Sequence, residues 1–230
     1  LRDLDVYLLA EDDYKAMLPP VLHDDIRPLF DYLQKKRATS FQSVLRSFKS
    51  KKYTGIIRDW ETFLNKPNPD SPTALNAQLP VKDLARNRIY KKYRGVVKTG
   101  RLILQHTEDE MLHALRIECK KLRYLVEFFS GLFAPKELNS LIGQLKKLQD
   151  NLGDFNDLSV QVSYLQSIAQ EFSETDRQSK QTLVAIGALI GAMDRKRQTV
   201  KEAFAETFNN FASPANHERF QNLFAPESKL

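Results

Sequence analysis

The chain has almost no cysteine: Cys119 is its single thiol among 230 residues. An internal disulfide is excluded, and a lone cysteine amid apolar helical residues fits a reducing compartment and an inert, packed thiol. Glycine is scarce too, at 8 residues, and forms no phosphate-cradling loop. No apolar run reaches the roughly 18 residues of a membrane-crossing helix, so no membrane partner is expected. The opening Leu1-Arg2-Asp3-Leu4-Asp5 does not resemble a secretory signal, which gives a cytoplasmic expectation. It also lacks an initiator Met, so the chain is expected to begin inside a longer protein. His23, His106, His113 and His217 are scattered without metal-ligand spacing. Asp12-Asp13, Asp24-Asp25 and Glu108-Asp109-Glu110 read as helix-start acids favoured by the macrodipole. No metal, cofactor or nucleophilic site is expected, and the chain reads as non-enzymatic.

What is present is helical periodicity. Hydrophobic residues make up 42% of the chain, enough for a core. Segments rich in Leu, Lys, Gln and Phe, with prolines confined to a few places and no strand pattern, predict an all-α protein. Residues 1–18 predict an amphipathic helix stopped by Pro19-Pro20. Residues 21–48 predict a long helix kinked or broken near Pro28. Residues 53–64 place Ile56, Ile57, Trp60, Phe63 and Leu64 on one helical face. Residues 66–80 read as a linker dense in residues that cannot extend a helix. Residues 81–106 are helical, and Thr107-x-x-Glu110 is a capping box for a helix ending near Gly131. A helix over 135–152 is closed by Gly153, and Asp154 caps the next, to about Phe172. Ser173-x-x-Asp176 then opens a long helix that reaches Phe211 before Pro214 halts it.

Charge is concentrated. Lys82 to Lys147 carries 15 Lys+Arg against 7 Asp+Glu, a net of +8; the whole chain is +6 (35 minus 29), so the remainder sums to −2. Focused basicity is what an anion site needs and a generally soluble surface does not. His113, Arg116, Lys120 and Arg123 fall within a sector of roughly 80° at about 100° per residue. Leu112, Leu115, Leu122, Leu125, Val126 and Phe129 point the other way. Successive turns are about 5.4 Å apart, so the stripe is a ladder suited to repeated negative charges rather than one compact anion. Lys121 lies beside it. Arg88, Lys91, Arg94, Lys98 and Arg101 make a second stripe, opposite Ile89, Tyr93, Val96 and Val97. Lys147 and Arg37 complete the candidate set. His113 either adds a charge-assisted hydrogen bond to an anion or bonds a neighbouring helix as a neutral packed group.

A weak internal repeat aligns residues 1–6 with residues 155–160, with Asp, Leu and Val matching. The pattern His113-x-x-Arg116-x-x-x-Lys120-Lys121-x-Arg123-Tyr124, then Leu145-x-x-Leu148-Gln149-x-x-Leu152-Gly153-x-x-Asn156-Asp157-Leu158, resembles the second half of a CHAD domain, the conserved histidine α-helical domain. Arg2-Asp3-x-Asp5-Val6 resembles the matching element of the first half. The resemblance implies two pseudo-symmetric bundles of long antiparallel helices, the first incomplete at its N-terminus, with a basic groove or pore that binds inorganic polyphosphate. On that division residues 1–65 are the remainder of the first repeat, 66–80 the linker and 81–230 the second repeat. Asn156 stands where Arg2 is basic, and Ser159 where an acid is usual. Asp3 and Asp157 are expected to brace helices or pair with cations rather than touch the anion.

The expected partner is therefore polyphosphate, with polyphosphate-granule association possible and sulfate or phosphate able to fill the same site. Nucleic acid is the alternative, since a basic stripe meets its phosphate term equally well; Tyr90, Tyr93 and Tyr124 offer stacking rings unless they pack in the core. A weaker rival is histidine phosphotransfer. His113-Ala114-Leu115-Arg116 faintly resembles such modules, but Ile117 stands where they carry a small residue.

Overall fold

The computed structural model describes residues 1–67, 76, 78–106, 108–172 and 177–226. Among them there are ten α-helices and no strand, so the chain is all-α. The expected helix over 1–18 is two, α1 (Arg2–Leu9) and α2 (Glu11–Ala16), parted at Ala10. Glu11, Asp12 and Asp13 occupy the first turn of α2, where free N–H groups and the dipole favour acids; mid-helix they would gain neither. The span 21–48 is broken near Pro28, as expected: Pro20–Leu22 forms a separate 3-10 turn, and Pro28 sits in the first turn of α3 (Arg27–Phe48), where its missing N–H costs nothing. Next come α4 (Lys51–Leu64), α5 (Val81–Gln105) and α6 (Asp109–Phe128).

Gly153 does not end a helix. The α7 helix runs unbroken over Pro135–Ala169, with Asp154 inside it rather than capping. Interior glycine costs about 1 kcal/mol, and the burial of Leu148, Leu152, Phe155 and Leu158 on both sides of it outweighs that at about 1.5–3 kcal/mol per large apolar side chain. Conversely, the long helix expected to reach Phe211 is divided into α8 (Arg177–Glu202) and α9 (Phe204–Phe211). The break at Ala203 lets Phe204, Phe208 and Phe211 all be buried. Pro214 opens a further helix not expected from the sequence, α10 (Pro214–Phe224). Thr107 of the capping box, the Ser173–Asp176 helix start, and positions 68–75 and 77 of the linker lie outside the described residues.

The helices gather into two compact units, one of Leu1–Ser71 with Val162–Asp194, the other of Pro72–Gln161 with Arg195–Leu230. These interleave along the chain, whereas the repeats expected at 1–65 and 81–230 follow it in order. In the first unit Tyr7 stacks on Tyr164 at 4.8 Å, and Leu29, Phe30 and Leu33 are buried on α3. No α4 residue is buried; its apolar face is exposed, Trp60 at 58% and Phe63 at 65%. The aligned hexapeptides share a burial pattern: Leu4 and Leu158 are buried while Val6 and Val160 are exposed.

The second unit holds one continuous core of Ile89, Tyr93 and Val96 from α5, Leu112, Leu115, Cys119 and Leu122 from α6, Leu145 to Phe155 from α7, and the phenylalanines of α9 and α10. The α5 and α6 helices pack along each other. At Gly100 of α5, α9 comes so close that a Cβ would fall inside the Phe208 ring. With its apolar face held this firmly, α5 can present only its basic face outward.

Candidate cation-lined groove

Lys91, Arg94, Lys98 and Arg101 of the α5 stripe line one open groove of about 910 Å³, together with Asn87, Tyr90, Tyr93, Gln105, His217 of α10 and Pro226. Among the described residues no carboxylate lines it, and none of these four cations makes an ion pair. Arg88 is exposed on the same helix but does not reach the groove. Four cations at spacings of three and four residues thus stand on one wall with no counter-charge between them among the described residues. Such a surface repels itself when empty and is relieved by an anion.

The α6 ladder is placed differently. None of its residues lines the groove, and most already have carboxylate partners. Arg116 lies 3.6 Å from Asp157, Arg123 3.3 Å from Glu127, and Lys121 3.1 Å from Glu118, which also holds Lys92 at 2.6 Å. These bonds, the Lys92 one foremost, hold the Glu118 carboxyl below its ordinary value. Lys120 is half-buried and has no such partner among the described residues.

His113 bonds a neighbouring helix: its Nδ1 lies 2.6 Å from Asn156 Oδ1 on α7. Asn156 Nδ2 donates to Asp157 at 3.0 Å, which fixes the amide with its oxygen toward the ring, so Nδ1 is the donor and Nε2 is left open. His113, Asn156, Asp157 and Arg116 form a polar clasp between α6 and α7. Asp157 thus braces and pairs, as expected for it, and Asn156 takes a positioning part the sequence did not suggest. Arg37 pairs with Asp5 in the first unit, and Lys147 is exposed on α7. Lys36, beside Arg37, bonds Glu171 at 2.7 Å; that bond and one to Tyr32 push its ammonium well above the ordinary lysine range.

The remaining candidates fall to packing. Tyr93 stacks on Phe220 at 3.8 Å and is fully buried, so it offers no open ring; Tyr90 is partly buried against the core. Only Tyr124 of the three is exposed, under Arg123. Burial pushes the Cys119 thiol up, making it inert. Among the described residues no group of His, Cys, Asp and Glu could hold a metal, and no helix is long and apolar enough to cross a membrane.

His217 and Asn156 escaped sequence reasoning because their partners lie far along the chain: Tyr93 and His113 are 124 and 43 residues away. Against curated proteins the chain finds no significant match. The family model for the CHAD domain does match, over residues 1–166, a span that takes in α5, α6 and the Asn156-Asp157 clasp, and the chain therefore belongs to the CHAD domain family.

Proposed function

We propose that this protein binds inorganic polyphosphate, without cleaving it, along the basic face of α5. The observation that carries the reading is the groove: four cations on one wall, without carboxylates or ion pairs among the described residues. Lysines act there as adjustable point charges and arginines as two-pronged donors to phosphate oxygens. Family membership points to the same ligand class. The α6 ladder is a second cationic surface, but a polyanion gains least from cations that already hold carboxylates, so Lys120 and the open Nε2 of His113 are its most available groups. The near absence of open aromatic rings in the groove favours a bare phosphate chain over a single-stranded nucleic acid, whose binders usually supply stacking platforms.

The test is salt dependence. Each phosphate contact contributes about 0.7–0.9 to the slope of log affinity against log salt. Replacing Lys91, Arg94, Lys98 and Arg101 together by Gln should flatten the slope for long-chain polyphosphate by about 3 and weaken binding at low salt. An unchanged slope in a folded quadruple variant overturns the assignment of the groove.

A further inference from the structure

Helix α10 lies beyond the stretch matched by the family, yet it supplies a wall of the groove. His217 on that wall lines the same groove as the α5 cations. Its Nδ1 is 3.2 Å from the Tyr93 hydroxyl, and Tyr93 is immobilised by its stack on Phe220. Burial pushes the Tyr93 phenol up to about 12, so it keeps its proton. A phenol hydroxyl is the better donor of the pair and a neutral imidazole nitrogen the better acceptor. The bond therefore fixes the tautomer with hydrogen on Nε2, the nitrogen not engaged by Tyr93.

Resting on the reading of the groove as a polyphosphate site, we propose that His217 is a phosphate-binding residue and Tyr93 the positioning residue that sets its tautomer. Nε2–H donates to a phosphate oxygen. The charged and titratable groups around it are Lys91, Arg94, Lys98, Arg101, Tyr90 and Tyr93 from α5, with Glu218 and Arg219 beside it on α10.

Long-chain polyphosphate binding by the full chain is measured for wild type, His217→Ala, Tyr93→Phe, the double variant of these two and the four-cation variant. His217→Ala should bind about tenfold more weakly, the low end of what a hydrogen bond to a charged group contributes. Tyr93→Phe keeps the ring stacked on Phe220 and should weaken binding by less, with no additional effect in the His217→Ala background. If His217→Ala leaves affinity unchanged while the four-cation variant fails to bind, the groove is the site and His217 has no part in it. If the four-cation variant also binds normally, the groove reading falls and this inference with it.

Discussion

The Gly100→Ala substitution tests the packing that fixes the basic face of α5, and two principles give it opposite signs. Helix propensity alone makes alanine better than an interior glycine by about 0.8–1 kcal/mol. The structure says otherwise. A Cβ at Gly100 would overlap three ring atoms of Phe208, the most distant of them, Cδ2, at only 2.5 Å, against an ordinary carbon–carbon separation of about 3.5–4.0 Å. Phe208 is buried and stacks on Phe204, so the ring cannot swing into solvent and the helices must separate. Overpacking of this kind costs about 1–3 kcal/mol or more, and here its upper range applies. The net expectation is destabilisation by about 1–2 kcal/mol, or roughly 2–8 °C in Tm for a chain of this size. The control is Gly143→Ala on α7, where an added Cβ meets nothing within 4 Å; it should gain about 0.5–1 kcal/mol. Urea denaturation followed by circular dichroism measures both. If Gly100→Ala proves as stable as wild type, or more so, the close α5–α9 approach is wrong.

Two further outcomes follow from the charged and buried groups. Glu118 is held below its ordinary value by the Lys92 bond, so its contribution is fully present above the unfolded value near 4.5 and is lost as pH falls through the lower folded value; stability should decline on acidification below about pH 5, and Lys92→Met should show a shallower decline. Equal declines in the two proteins contradict the pairing. Buried Cys119, its thiol pushed up by burial, should resist alkylation in the native protein and react at once in denaturant; rapid native labelling, followed by mass spectrometry, contradicts its placement.

Much of this architecture is legible in local pattern. The apolar faces of α5 and α6 are spaced for one stripe each, and Ile89, Val96, Leu112, Leu115 and Leu122 are buried as that spacing requires. Helix ends were less legible, because punctuation by Gly153 and Pro214 is weak beside packing: buried leucines carry α7 through its glycine, and Pro214 starts a helix as readily as it stops one. The site was half legible. Charge count and periodicity locate both stripes, but which stripe is free depends on carboxylates that arrive from elsewhere in the fold. Asp157 pairs with Arg116, and nothing in the linear order reveals that Lys92 pairs with Glu118 while Lys91, Arg94, Lys98 and Arg101 keep no acid partner among the described residues. The face of α4 reverses the usual inference, being strongly apolar yet exposed.

The central claim is that Lys91, Arg94, Lys98 and Arg101 of α5 receive an unadorned phosphate chain. Its most direct test is competition between long-chain polyphosphate and single-stranded DNA of equal total charge, in one buffer at physiological salt. Polyphosphate should displace the DNA at a several-fold lower concentration of charge, and the four-cation variant should lose that preference. Equal displacement by the two polymers, or a preference for DNA, contradicts the account.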